Sequence, residues 1–258
     1  MILTNLVDRR DGDTRTISMD LVWEENDRPV QTLHFSADGD TADLMHPSPD
    51  AFAIASLPMA GWLGERRMRV DGHLCTRLRA GLKCLNQVFA KWFPNVGIVS
   101  VEPAEGFVPT TPPARRVASM LSGGVDGLAA LRQNRLDYPL DHPESIRDCI
   151  TLFGINTYDV NEKGPVKERL EAFDALLGRL RTLAAAEQFE LHPVRTNVRS
   201  LAPDYKAWTS VGFGAGHIAA AQIFQVSFDK VLFASDGEGP NPHPGPIHPL
   251  ITAWFSTN

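Results

Sequence analysis

The second half of the chain alternates between strand-like and helix-like segments, and this alternation restricts the fold more than any other feature. Apolar runs of strand length are separated by amphipathic or small-residue segments with short joins. The predicted strands cover 116–121, 148–156, 189–198 and 229–237. Three helices are predicted between them: one that begins after Gly127, one over 162–188 and one over 214–225. This order is typical of a parallel sheet with helices on both faces. We therefore predict an α/β domain with a parallel sheet.

Residues 1–103 show a different pattern, which predicts a smaller N-terminal α+β domain. Polar and apolar residues alternate over 15–25 and 28–37, as in two antiparallel strands. Further along, segment 50–64 predicts a helix or a buried segment, segment 75–93 predicts a core-facing helix, and 67–72 and 95–103 predict short strands. A proline-rich stretch without periodicity, 104–115, predicts a linker.

Composition restricts the cellular setting and the partners. The net charge of −6 gives no basic surface for nucleic acid or membrane, so a nucleic-acid substrate is disfavoured. The three cysteines form no Cys-x-x-Cys pair, which favours a reducing compartment. The sequence also lacks a signal peptide pattern and an apolar run of about 20 residues, so we expect a cytoplasmic protein without a membrane partner. We also expect the natural chain to continue past Asn258, because an apolar stretch lies directly before it.

A glycine-rich turn joins the first predicted strand of the second domain to its helix. Residues 121–127 read Leu-Ser-Gly-Gly-Val-Asp-Gly. Glycines permit close approach to a ligand, and successive backbone N–H groups at a helix N-terminus can surround an anionic oxygen. Ser122 adds a hydroxyl, and Asp126 suits magnesium rather than a bare phosphate. The turn therefore fits a pyrophosphate with bound Mg²⁺, although an ordinary strand–helix turn has similar residues.

Residues 122–127, Ser-Gly-Gly-Val-Asp-Gly, resemble the SGGxDS loop of the N-type ATP pyrophosphatases, the PP-loop family of the adenine nucleotide alpha-hydrolase superfamily. The order of segments is similar over about 116–250, and residues 116–258 would form the nucleotide-binding domain. The resemblance implies a Rossmann-like sheet sandwiched by helices, with ATP and Mg²⁺ as cofactors. It also implies a reaction in which ATP adenylates a substrate, pyrophosphate leaves, and a nitrogen or sulfur nucleophile displaces AMP.

The resemblance also implies the positions of the ligand contacts. The pyrophosphate would be bound by Ser122, Gly123, Gly124, Val125, Asp126 and Gly127, with Asp126 as the metal ligand. The end of the second strand would flank the adenine, at Phe153, Gly154, Ile155 and Asn156. Further contacts would come from Gly214, His217 and Asp236, on the later glycine loop, its helix and the last strand end.

Gly127 departs from the family pattern, which has a serine here. A glycine keeps the backbone N–H group but removes a hydroxyl donor to the phosphates. Because one charge-assisted hydrogen bond contributes about 1.5–3 kcal/mol, the loss would weaken ATP binding or turnover roughly tenfold to a hundredfold. We therefore predict that Gly127→Ser strengthens ATP binding.

Several polar residues outside the loop are further candidates. Arg195 and Arg199 fit two roles equally well. They either bind phosphates or a substrate carboxylate, or they are surface residues. Lys206 is either a catalytic cation or a solvated lysine. Cys149 is predicted to be a core residue rather than a nucleophile.

The proline-rich segment 237–250 contains His243 and His248. Together with His217 and Asp236 they fit a metal site, although a loop that caps the substrate is the alternative we favour.

These features together predict an AMP-forming, ATP-dependent ligase or synthetase that acts on a small molecule, and a homodimer is the assembly we expect. Ser122, Asp126, Arg195 and Lys206 are the candidate catalytic residues. The alternatives are an ATP- or AMP-binding sensor or assembly protein without turnover, and a sulfurtransferase or tRNA-modifying enzyme of the same fold.

Overall fold

The computed structural model describes residues 1–109, 116–155, 166–234 and 244–255. The strands are β1 (Ile2–Asp11), β2 (Thr14–Val22), β3 (Gln31–Asp38), β4 (Arg67–Val70), β5 (Leu74–Cys75), β6 (Ser100–Pro103), β7 (Phe107–Val108), β8 (Val117–Met120), β9 (Ile146–Phe153), β10 (Glu190–Thr196) and β11 (Lys230–Leu232). The α-helices are α1 (Gly39–Leu44), α2 (Pro49–Trp62), α3 (Thr76–Trp92), α4 (Val125–Asp137), α5 (Val166–Glu187), α6 (Tyr205–Ala207), α7 (Phe213–Gln222) and α8 (Pro249–Thr252).

A nine-stranded sheet is formed by these residues, in the order β11-β8-β9-β10-β3-β2-β1-β4-β6. The four strands β11, β8, β9 and β10 are parallel to one another, as the strand–helix alternation predicts. The chain passes from β8 through α4 to β9 and through α5 to β10, then returns through α7 to β11 on the other side of β8. The reversal of strand order places a switch point between β8 and β11, which is where open α/β sheets bind ligands.

The N-terminal strands belong to the same sheet. β1, β2 and β3 form an antiparallel meander, and β3 pairs with β10 at Phe35↔Thr196 and Ser36↔Arg195. One hydrophobic cluster contains buried residues from both halves of the chain, and α2 packs against α7. The change from antiparallel to parallel pairing therefore occurs within one continuous sheet. The division into folding domains at 103 and 116 stays a prediction.

Helices cover both faces of the parallel strands. Buried side chains of α4 and α5 pack with Val117, Leu121 and Cys149 on one face. The α2 and α7 side chains pack with Ala118 and Ile150 on the other face. Adjacent strand residues thus point to opposite faces, and both faces are apolar because both are covered. The structure is α/β with a mostly parallel sheet flanked by helices, which is compatible with a Rossmann-like fold.

Several element predictions need correction. Residues 2–11, which carry mixed polar and apolar residues, form the full-length strand β1 that the sequence analysis did not predict. Part of the predicted linker is regular structure, since Phe107–Val108 pairs in parallel with Leu74–Cys75; residues 110–115 lie outside the described ranges. Helix α4 begins at Val125 rather than after Gly127.

Residues 244–255 pack back onto the helices. Ile251 is fully buried, and the backbone of Trp254 lies so close to α3 that a Cβ at Gly81 would overlap it. In the part of the chain that the structure describes, no helix combines the length and apolar character needed to cross a bilayer.

Candidate functional site

The turn between β8 and α4 is fixed by hydrogen bonds to the neighbouring strand. The N–H group of Leu121 donates to the carbonyl of Ile150 at 2.8 Å, and the Thr151 hydroxyl donates to the carbonyl of Leu121 at 2.7 Å. The chain then turns at Gly123, whose φ of +77° lies in the left-handed region. A side chain there would be strained, so this glycine is required by the backbone conformation.

The N-terminus of α4 opens next to this turn. Gly124 occupies the N-cap position without a side-chain cap, and its N–H group donates to Ser122 Oγ at 3.4 Å. The first intrahelical bond runs from the Leu128 N–H group to the Gly124 carbonyl, at 3.2 Å. The N–H groups of Val125, Asp126 and Gly127 therefore have no acceptor within the helix, as at every helix N-terminus. Such N–H groups can donate hydrogen bonds to an anion.

A cavity of about 210 Å³ lies beside this turn and helix end; we call it the loop cavity. Its lining residues come from β8 and the turn, from β9, from α7, from the end of β11 and from Ile247: Met120, Leu121, Ser122, Gly124, Asp126, Gly127, Ile150, Leu152, Phe213, His217, Phe233, Ala234 and Ile247. The cavity thus sits outside the carboxyl ends of β8 and β11, at the switch point of the sheet.

His217 supplies the polar group on the α7 side of the loop cavity. Its Nδ1 lies 2.8 Å from the carbonyl oxygen of Phe213, and because a carbonyl only accepts, Nδ1 carries the proton. Burial lowers the pKa of His217 to about 4, against a smaller opposing effect of the Phe213 carbonyl. The imidazole is therefore neutral at pH 7, and Nε2 is its acceptor atom.

Ser122 and Asp126 are exposed residues on the opposite wall. Magnesium in nucleotide sites is commonly bound through one or two carboxylates together with phosphates and water. The single carboxylate of Asp126 fits that mode of binding. In the described residues, no group of three or more His, Cys, Asp or Glu side chains is arranged to hold a metal without a nucleotide.

Gly127 lies within the first turn of α4, buried against β8. A Cβ at this position would lie 3.3 Å from Leu121 Cδ1 and 3.5 Å from the Met120 carbonyl oxygen. A glycine thus allows α4 to approach the strand closely. The same contact offers a serine hydroxyl an alternative acceptor, the Met120 carbonyl, in competition with a phosphate.

The predicted adenine contacts at the end of β9 have packing contacts of their own, and their role toward a nucleotide stays a prediction. Gly154 has φ of +93°, and a Cβ there would lie 1.8 Å from the Thr196 carbonyl oxygen. Ile155 is fully buried, and the ring of Phe153 packs 5.2 Å from that of Phe173 on α5. None of these three lines the loop cavity, and Asn156 is outside the described residues. The residues of β9 that line the cavity are Ile150 and Leu152, which precede Phe153 in the strand.

Gly214 also has a packing role. A Cβ on this residue would lie 1.7 Å from the carbonyl oxygen of Pro246, so the segment that carries Ile247 can rest directly on α7. Gly214 therefore shapes the cavity wall through Ile247 without lining the cavity itself.

The predicted basic residues lie away from the loop cavity. Arg195 Nη1 forms an ion pair of 2.8 Å with Asp38 Oδ2, where β10 meets β3. Lys206 is exposed on the short helix α6, and the guanidinium of Arg199 stacks over Trp208 at 5.3 Å. Among the residues that the structure describes, no lysine or arginine lines this cavity.

The remaining sequence candidates divide into those the structure places and those outside it. Cys149 is fully buried as predicted, and burial raises the pKa of its thiol to about 12. His248 is buried, with its ring centroid 5.0 Å from that of Trp92. Asp236 and His243 fall outside the described ranges, so the metal site suggested for them stays a hypothesis.

Sequence reasoning missed the apolar part of the cavity wall, contributed mainly by Met120, Phe213, Phe233 and Ile247. A usable signal was present for the strand residues, because in a parallel sheet the last residue of each strand lies at the ligand edge. No sequence signal pointed to Ile247, which is brought in by the tight contact between Pro246 and Gly214.

The chain was compared with protein-family models, with curated proteins and with solved structures, and no match was found in any of the three.

Proposed function

We propose that this chain is an ATP pyrophosphatase-type enzyme that adenylates a small-molecule substrate for attack by a nitrogen nucleophile. The observation that carries the proposal is the turn at residues 121–127. A left-handed glycine and an N-terminus without a side-chain cap open there onto a cavity at the switch point of the sheet. The residues and the position both suit an anionic phosphate chain.

In this proposal each polar group has a separate task. The N–H groups at the start of α4 and the Ser122 hydroxyl bind phosphate oxygens, and Asp126 holds the Mg²⁺ that accompanies them. The metal supplies charge neutralisation for the departing pyrophosphate. A substrate oxygen forms a bond to the α-phosphorus while the bond to the β-phosphate oxygen breaks, and the nitrogen nucleophile later displaces AMP. The protein contributes mainly positioning and electrostatic stabilisation.

The products formed from ATP distinguish adenylation from other reactions of ATP. Purified protein is incubated with Mg²⁺, ATP and a panel of small carboxylic acids, with hydroxylamine as the nitrogen nucleophile. We expect AMP and pyrophosphate in equal amounts, together with a hydroxamate for the correct acid. Formation of ADP and orthophosphate instead, or failure of Mg·ATP to bind, would rule the proposal out.

A second candidate function is ATP binding without turnover, as in a sensor or an assembly protein. It is favoured by the lining of the loop cavity, which contains no lysine or arginine among the described residues to neutralise the transition state. Tight Mg·ATP binding without pyrophosphate release, and without exchange of labelled pyrophosphate into ATP, would select this function.

A further inference from the structure

The loop cavity has two chemically different sides. Among its described lining residues, the hydroxyl of Ser122 and the carboxylate of Asp126 both belong to the turn and the start of α4. The lining side chains from β9, α7, the end of β11 and position 247 are apolar, with the exception of His217. We call this side the apolar wall, which consists of Ile150, Leu152, Phe213, Phe233, Ala234 and Ile247.

His217, which lies among the residues of the apolar wall, carries no charge at pH 7. Its Nδ1 donates to the carbonyl of Phe213 at 2.8 Å, and its ring lies 4.3 Å from the ring of Phe213 and 5.1 Å from that of Phe233, centroid to centroid. The residue is 9% exposed, and burial lowers the pKa of His217 to about 4. A positive charge on this ring would be surrounded by apolar groups, which is unfavourable.

The charges around the loop cavity decide which substrate groups it can enclose. Among the described residues, no lysine or arginine lines the cavity, and the carboxylate of Asp126 has the same sign as a second anionic group of a substrate. Such a group would lose its water without gaining a partner, which costs far more than a hydrogen bond returns. An apolar group of the same shape would instead be stabilised by burial against the apolar wall.

The size of the loop cavity restricts the substrate further. Small-molecule sites typically enclose about 300–1,000 Å³, whereas this cavity encloses about 210 Å³. In the proposed function the phosphates and the reacting carboxylate lie on the side of the turn. The space along the apolar wall therefore suits only a compact remaining group.

We propose that the substrate adenylated at this site is a small monocarboxylic acid whose remaining group is apolar and uncharged, and that the apolar wall rejects acids with a second carboxylate. This inference rests on the proposed function, since it assigns the substrate class of the same site. It goes further because adenylation by itself would accept any carboxylic acid.

The test uses pairs of acids that differ in one terminal group. Isovalerate is paired with malonate, and isocaproate with succinate, so that an isopropyl group is compared with a carboxylate of nearly the same shape on the same chain. With Mg·ATP and hydroxylamine, kcat/KM is measured for each acid from the release of pyrophosphate and from the hydroxamate formed. The ratio within each pair reports the effect of the second charge.

Two variants place a cation in different surroundings. Ala234→Lys adds an ammonium group at a half-buried position of the apolar wall, just after β11. Ala186→Lys adds the same charge at an exposed position near the end of α5, and it is the matched control. Thermal unfolding checks that both variants are folded, and the comparison of acids on the wild type needs neither variant.

We expect the wild type and Ala186→Lys to prefer the apolar acid of each pair by about a hundredfold or more. Ala234→Lys should reduce this preference by about tenfold or more, through faster turnover of the dicarboxylate.

Two results would overturn this inference and leave the proposed function standing. The first is pyrophosphate release by the wild type with malonate or succinate at least as fast as with the apolar partner. The second is an undiminished preference in folded Ala234→Lys. If no acid of either kind yields pyrophosphate, the proposed function and this inference are both wrong.

Discussion

Nδ1 of His217 lies 2.8 Å from the carbonyl oxygen of Phe213, one helical turn earlier in α7. This bond and the surrounding rings of Phe213 and Phe233, at centroid distances of 4.3 and 5.1 Å, hold a neutral imidazole in the wall of the loop cavity. Because burial lowers its pKa to about 4, the folded protein resists protonation of His217 over a range in which an unfolded chain accepts the proton.

The first prediction concerns the pH dependence of stability. Between the unfolded pKa of 6.5 and the folded value of about 4, the unfolded state binds more protons, so stability falls as the pH falls. His217 alone should lower the free energy of unfolding by roughly 2 kcal/mol from pH 7 to pH 5. Urea unfolding at pH 7 and at pH 5 measures the loss of unfolding free energy between them. This loss should be smaller by roughly 2 kcal/mol in His217→Gln. It should equal that of the wild type in His73→Gln, which alters an exposed histidine. An equal drop in His217→Gln and the wild type would contradict the assignment.

A second prediction concerns the amino-terminal end of β9, at the opposite end of the strand from the loop cavity, where Asp148 is fully buried. Its carboxylate accepts hydrogen bonds from Arg116 Nε at 2.6 Å and lies 2.7 Å from His192 Nε2. Burial raises the pKa of Asp148, but the bonds from His192 and Arg116 outweigh it, so the pKa is lowered overall. Its contribution to stability is therefore present above the unfolded pKa and is lost as the pH falls through the folded pKa.

Removing this charge should destabilise the fold. We expect Asp148→Asn to reduce the free energy of unfolding by about 2–4 kcal/mol, since it removes the buried carboxylate that accepts hydrogen bonds from His192 and from the half-buried guanidinium of Arg116. Chemical denaturation at pH 7 measures the change, and Asp141→Asn, at an exposed position near β9, should stay within about 0.5 kcal/mol of the wild type. Equal effects of the two substitutions would show that the network contributes little.

The third prediction uses two glycines in different surroundings. Gly154→Ala should destabilise the protein by about 2–4 kcal/mol, because the new Cβ would lie 1.8 Å from a backbone oxygen at a positive φ. Gly178, on α5, has no atom within 4 Å of the corresponding Cβ, and Gly178→Ala should stabilise the helix by about 0.5–1 kcal/mol. Thermal unfolding of both variants tests the signs, and a tolerated alanine at 154 would contradict the packing role given to that glycine.

A fourth prediction separates the two effects of a side chain at Gly127. Serine and alanine place the same Cβ near Leu121, so their difference in Mg·ATP affinity reports the hydroxyl alone. We expect Gly127→Ser to bind Mg·ATP more tightly than Gly127→Ala, up to about tenfold, since the Met120 carbonyl competes for the hydroxyl. Equal affinities would mean that the hydroxyl does not reach the phosphates.

The parallel half of the fold could be predicted because each element carries its own period. The strands β8, β9 and β10 are short apolar runs, and α5 and α7 have helical spacing or small residues, so each was assigned close to its observed range. β1 was missed because its exposed end, with consecutive charged residues at Arg9 and Arg10, hides the alternation. The pairing of β3 with β10 was also beyond reach, since it joins residues about 160 positions apart and leaves no local pattern.

The candidate site was predictable only where one local motif sets the geometry. The turn at 121–127 has that property, because its glycines fix the backbone and place Ser122 and Asp126 at one helix end. Arg195 lies near the end of β10 as predicted, but its ion pair with Asp38 could not be predicted, since it depends on the β3–β10 contact.

The measurement that tests the central claim most directly is the affinity for Mg·ATP of two variants of the same helix. Asp126→Ala removes the carboxylate at the first turn of α4, and Asp137→Ala removes one at its last residue, far from the cavity. We expect Asp126→Ala to weaken Mg·ATP binding tenfold or more and to abolish its dependence on Mg²⁺, whereas Asp137→Ala should bind Mg·ATP like the wild type. Unchanged, Mg²⁺-dependent binding in Asp126→Ala would contradict the assignment of this turn as the nucleotide site.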